Sequence, residues 1–168
     1  MRTILLLITL NFIGIANAVE SCTFDQENQK RIVEGIAKSN PHGKLDVIRR
    51  QITWNKNLIG TTTFSYGGCD DLGSIVRRES IMTKPRTQQQ VLKLALELAT
   101  RFWSNKYVLA HEATEAMRGA IDGSKFEMEI LDNGALYRVP ADNFLEVSII
   151  HTYANGVDRV EVVWHRGF

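Results

Sequence analysis

The chain has only two cysteines and three prolines, and neither sign of charge is in large excess. It lacks the C-x-x-C pairs of zinc and thiol-redox sites and the Gly-x-Ser-x-Gly turn of serine hydrolases. The glycine-rich phosphate-binding loops of nucleotide-binding proteins are missing as well. The sequence therefore predicts no cofactor, no metal and no recognisable set of catalytic residues.

The first eighteen residues have the pattern of an export signal. Arg2 precedes an almost unbroken apolar run from Ile4 to Ile15, and Ala16-Asn17-Ala18 supplies the small residues that signal peptidase requires. This run is shorter than the roughly 20 apolar residues that span a bilayer, and no other segment approaches that length. We predict cleavage near Ala18, a periplasmic or secreted location, and one domain over residues 19–168.

Cleavage would leave a chain with no net charge. It removes one Arg and no acidic residue, so that 19 of the 20 Lys and Arg residues are matched by 19 Asp and Glu residues. A neutral chain has no long-range field that attracts a polyanion. Nucleic acid is not expected as a partner, and another protein, a secreted or periplasmic enzyme, is.

The order of local patterns predicts an α+β domain with helices packed on antiparallel sheet, in the order α-βββ-αα-ββββ. Thr87 and Gln90 form a capping box that opens the clearest helix, and Asn155-Gly156 predicts a hairpin turn. A helix followed by strands occurs twice in this order, and one sheet or two remain open. The first three strands are predicted at residues 45–54, 59–66 and 74–82, and the two later helices at 87–105 and 107–120.

Cys22 and Cys69 are the only cysteines, and an exported protein allows them to form a disulfide. Such a bridge would stabilise the fold by about 4 kcal/mol in the chain-entropy description. It would also hold a glycine-rich, acidic loop rigid, and a rigid loop loses little entropy on binding a partner. The residues that we predict to contact a partner are Tyr66, Gly67, Gly68, Asp70 and Asp71.

Four other residues offer an enzymatic alternative. His111-Glu112-Ala113-Thr114-Glu115 resembles the helix of zinc proteases, but the second histidine of that motif is replaced by Glu115. His111 and Glu115 would need a third ligand from His151 or His165 to hold a metal. The alternatives left open are an exposed His and Glu pair on a helix and structural histidines on strands.

Three functions therefore compete. The first is a small exported binding protein, an inhibitor or immunity protein that blocks a cell-wall hydrolase or lysozyme through the disulfide-held loop. The second is a hydrolase or metal-dependent enzyme that uses His111, Glu115, His151 and His165. The third is a structural module associated with the cell envelope.

Overall fold

The computed structural model describes residues 26–56, 60–67, 72–104, 110–140 and 145–166. These residues form three helices and eight strands. The helices are α1 (Gln26–Ser39), α2 (Gln88–Trp103) and α3 (His111–Asp122). The strands are β1 (Lys44–Asp46), β2 (Gln51–Lys56), β3 (Gly60–Tyr66), β4 (Leu72–Ile81), β5 (Glu127–Leu131), β6 (Gly134–Val139), β7 (Leu145–Ala154) and β8 (Val157–Arg166).

All eight strands belong to one antiparallel sheet, in the order β1-β2-β3-β4-β8-β7-β6-β5. The predicted order α-βββ-αα-ββββ is wrong, because the segment predicted as one strand over residues 45–54 folds back into β1 and β2. Arg50 adopts a left-handed backbone with φ of 50° at this turn. The Asp46 carboxylate accepts a hydrogen bond from the backbone N–H of Arg49 at 3.0 Å, which stabilises the turn locally.

The predicted fold also included a disulfide between Cys22 and Cys69. Both cysteines lie outside the described residues, and the part of the chain that the structure describes contains no disulfide. Among its helices, none has the length and apolar character needed to cross a membrane.

The sheet consists of two similar units that meet at its centre. α1 and β1 to β4 form the first unit, α3 and β5 to β8 form the second, and α2 lies between them in sequence. The offset between the units is 85 residues, both for the first helical residue (111 − 26) and for the last strand residue (166 − 81). β4 pairs antiparallel with β8, so Val76 lies opposite Val162 and Arg77 opposite Glu161. The topology of the sheet is thus approximately twofold symmetric about this pair of strands.

One face of the sheet forms the core with all three helices. Alternate strand residues point to this face, and one continuous row of register partners crosses six strands. Each helix contributes an apolar stripe at helical spacing, and α2 begins with the predicted capping box of Thr87 and Gln90. The row consists of Ile52, Phe64, Val76, Val162, Ile149 and Tyr137, and all six residues are buried.

Candidate functional site

The predicted contact loop is only partly described. Tyr66 is 3% exposed and belongs to the core, so its ring is not available to a partner, contrary to our prediction. Its position explains the difference, because Tyr66 alternates in phase with Thr62 and Phe64 on the helix-covered face. Gly67 is exposed, and its N–H donates to the carbonyl of Gly73 at 3.4 Å. The remaining predicted residues, Gly68, Asp70 and Asp71, lie outside the described residues.

The four residues of the enzymatic alternative occupy separate environments. His111 is exposed at the start of α3, and Glu115 pairs with Arg118 at 3.5 Å on the same helix. His151 is buried on the helix-covered face, whereas His165 points to the opposite face. Within the described ranges, no three His, Cys, Asp or Glu side chains are grouped so as to hold a metal ion.

His151 instead contacts a buried carboxylate. Its Nε2 lies 2.9 Å from Oδ2 of Asp158, a residue with no solvent exposure. The backbone N–H of Arg86 donates to the same oxygen at 3.0 Å, and the Arg86 guanidinium binds the other oxygen. Burial, and secondarily the charge of Arg86, lower the pKa of His151. A neutral His151 that donates from Nε2 fits this arrangement and leaves Nδ1 as an acceptor.

This cluster joins the segment before α2 to three strands of the sheet. Arg86 precedes α2, Asp158 lies on β8, and His151 lies on β7. Arg86 also donates to Oγ of Ser80 at 3.2 Å on β4. The cluster therefore anchors the segment between β4 and α2 to the centre of the sheet. Sequence reasoning missed Asp158, although its alternation with Val160, Val162 and Trp164 places it on the buried face.

The side of the sheet opposite the helices, which we call the open face, is broad and chemically mixed. Its central apolar side chains come from β4, β6, β7 and β8, and polar residues from β2 and β3 extend it. Ion pairs lie between the apolar groups. The apolar residues are Ile75, Leu136, Ile150 and Val163, and the polar residues include Thr53, Thr63 and Ser65.

Two ion pairs cross the middle of the open face. Arg77 on β4 contacts Glu161 on β8 at 2.9 Å. Two residues further along the same strands, Glu79 contacts Arg159 at 2.7 Å. In this second pair the acidic residue lies on β4 and the basic residue on β8. Directly opposed unlike charges of this kind each stabilise a sheet by roughly 0.2–1 kcal/mol. They also favour the register at which the two units meet, because each unlike pair is directly opposed there.

The charge on the open face is unevenly distributed. On β5, β6 and β7 the face carries three carboxylates and one guanidinium. Arg138 pairs with Glu129 at 2.8 Å, and Glu146 lies 3.5 Å from His165. The third carboxylate is that of Glu127, which is opposite Arg138 in the register. This third of the open face is therefore acidic, while the charges at the β4–β8 junction balance.

No protein-family model, curated protein or solved structure matches this chain. Its own residues and their geometry therefore carry the functional inference.

Proposed function

We propose that the protein is an exported binding protein that engages a cationic protein partner with the open face of its sheet. The observation that carries this proposal is the combination of apolar side chains with an acidic margin on the face opposite all three helices. Ile75 and Val163 lie next to the balanced ion pairs of Arg77 and Arg159. Exposed apolar side chains beside polar and charged groups are found in many protein interfaces, and here the charges at the centre are paired within the sheet.

The acidic margin favours a partner with a basic surface. Glu127, Glu129 and Glu146 exceed the single cation Arg138 on this part of the face. Complementary charge accelerates association and selects among partners more than it adds to affinity. A basic secreted enzyme, such as a lysozyme or another cell-wall hydrolase, fits this requirement. An inhibitory or immunity role is thus the form of binding that we propose, with the predicted export signal placing the protein beside such enzymes.

The test is binding and inhibition of a purified lysozyme-class hydrolase. Lysis of a peptidoglycan suspension is measured with increasing amounts of the exported protein, and the affinity is measured by calorimetry at low and at physiological salt. We expect inhibition that weakens at higher salt. Absence of both binding and inhibition at low salt contradicts the inhibitory role.

Matched variants locate the contact. Glu129→Lys reverses a charge on the open face, and Glu34→Lys makes the same change on the exposed side of α1, where Glu34 pairs with Lys30 at 3.9 Å. We expect Glu129→Lys to weaken binding by about tenfold because it opposes like charges, and Glu34→Lys to leave binding unchanged. Equal effects of the two variants would place the contact elsewhere. The double change Asp70→Ala with Asp71→Ala tests the predicted loop in the same assay.

A further inference from the structure

Arg78 lies partly buried on the helix-covered side of the sheet, above the beginning of β3. It is the register partner of Thr62, and its Nη1 donates to Oγ1 of Thr62 at 2.8 Å. Its Nη2 lies 3.2 Å from the point where a Cβ on Gly60 would stand. The Arg78 guanidinium thus lies over Gly60, which has no side chain. It is partly buried there and remains partly accessible to solvent.

Two further arginines stand near Arg78. Arg86 donates from Nη2 to Ser80, which is the register partner of Gly60. Arg101 of α2 donates from Nε to Oδ1 of Asn40 at 2.8 Å. After burial, the charge of Arg101 is the next cause that lowers the pKa of Arg78, and the charge of Arg78 acts in the same way on Arg86. The contacts of Arg101 and Arg78 are also linked in space, because the carbonyl of Asn40 accepts from Nε1 of Trp54 at 2.9 Å and Trp54 is the register partner of Thr62. Three guanidinium groups therefore lie in one region.

The described residues give these three cations only one carboxylate. Arg86 uses it, since its guanidinium pairs with Asp158. Among the described residues, Arg78 donates to the neutral hydroxyl of Thr62, and Arg101 donates to the neutral side-chain amide of Asn40. Arg78 is partly buried, and the charge of the exposed Arg101 adds repulsion to that cost, so an anion that joins the two guanidinium groups would stabilise them.

We propose that Arg78 and Arg101, together with the hydroxyl of Thr62, bind a tetrahedral oxyanion of the phosphate or sulfate class. Each guanidinium has five N–H donors in a planar fork, and the bonds to Thr62 and Asn40 use only one donor of each. The remaining donors match the several oxygens of such an anion, and its two negative charges balance the two arginines. The site is on the opposite side of the sheet from the open face and does not depend on the proposed function.

The first experiment titrates the full chain with inorganic phosphate, sulfate and acetate at constant ionic strength. Thermal unfolding and calorimetry report binding, because a ligand that binds only the folded state raises the Tm saturably. We expect saturable stabilisation by phosphate and sulfate and much weaker stabilisation by acetate. Equal shifts with all three salts, or no saturable response, would overturn the proposal.

Matched variants assign the response to the two arginines. Arg78→Gln and Arg101→Gln should each weaken phosphate binding by about tenfold, the loss typical of one charged hydrogen-bonding group. Arg77→Gln is the control, since it changes the neighbouring residue of β4 on the open face and removes a pair with Glu161. Phosphate binding that is equally weakened in Arg77→Gln, or unchanged in Arg101→Gln, would overturn the proposal. Arg101 is exposed, so its variant remains informative if Arg78→Gln does not fold.

A last arm distinguishes the source of the oxyanion. Glycerol phosphate is added as a competitor to the protein saturated with phosphate. Displacement at comparable concentration assigns the site to phosphorylated molecules, and phosphate binding without displacement assigns it to the free ion. Both outcomes support an oxyanion site, and the loss of either response in Arg78→Gln confirms where it lies.

Discussion

His151 and Arg86 share the carboxylate of Asp158 on the buried side of the sheet, and this contact links stability to pH. Burial and the charge of Arg86 lower the pKa of His151 below its ordinary value of 6.5. In the unfolded chain, His151 therefore binds a proton as the pH falls through about 6.5. In the folded chain, it binds that proton only at a lower pH. The stabilising contribution of neutral His151 is complete above pH 6.5 and is lost as the pH falls through the lower pKa of the folded state.

A variant without the His151 imidazole should show a weaker dependence of stability on pH. We expect the free energy of unfolding of the natural protein to fall between about pH 7.5 and about pH 5 by more than that of His151→Gln. Glutamine retains an N–H donor for Asp158 but does not titrate. Urea unfolding at both pH values measures the difference, and His165→Gln on the open face is the matched loss of a histidine. An identical pH dependence in the natural protein and His151→Gln would contradict this assignment.

The carboxylate of Asp158 should contribute more to the free energy of unfolding than any charge on the open face. Asp158→Asn leaves the buried part of Arg86 without its counter-charge, and breaking a buried pair in this way costs about 3 kcal/mol or more. Glu161→Gln removes a partner of Arg77 from the same strand on the other face, where a half-exposed pair contributes about 1 kcal/mol at most. Denaturant unfolding compares the two variants. Comparable losses would mean that the Asp158 cluster is not the anchor inferred from its contacts.

At the scale of single elements, local chemistry predicts boundaries only where one residue determines the backbone. The Thr87 cap is an example: it accepts from the N–H of Gln90, whose side chain in turn accepts from the N–H of Thr87 at 2.9 Å. Asn155 and Gly156 have φ of 52° and 75°, which agrees with the predicted hairpin turn. The turn between β1 and β2 was missed because Arg50, at φ of 50°, is not a residue type that signals a left-handed backbone.

Two glycines give opposite predictions under the same substitution. Gly156 has φ of +75°, which an alanine adopts only with strain, so Gly156→Ala should destabilise by about 1 kcal/mol. Gly119 lies within α3, and nothing is within 4 Å of a Cβ placed there, so Gly119→Ala should stabilise by about 0.5–1 kcal/mol. Thermal unfolding of both variants measures the difference in sign. A shift of Tm in the same direction for both would contradict the distinction between a strained turn glycine and a helical one.

At the scale of the whole molecule, the pairing of distant strands is what sequence patterns did not determine. β4 and β8 pair over ten register positions although equivalent positions of the two strands are 85 residues apart in the sequence. Alternation shows that each strand has one buried face, but it does not specify which strand lies beside which. The two central ion pairs help to select β8 as the neighbour of β4. Arg77 contacts Glu161, and Glu79 contacts Arg159, only in this register. The open face depends on this pairing as well, and so the candidate binding surface could not be derived from one segment.

The twofold arrangement predicts which strands of the sheet unfold last. β4 and β8 are paired on both sides, and their ten-residue contact joins the two units beneath α2. β1 is a three-residue strand at one margin of the sheet, paired only with β2. In native-state hydrogen exchange, the amides of β4 and β8 should therefore exchange only through global unfolding, while those of β1 exchange through local fraying. Mutations at the centre, such as Val162→Ala, should accelerate exchange in both units together, because each unit buries its apolar surface against that junction. Acceleration confined to the second unit would show that the units open independently and that the β4–β8 pairing does not couple them.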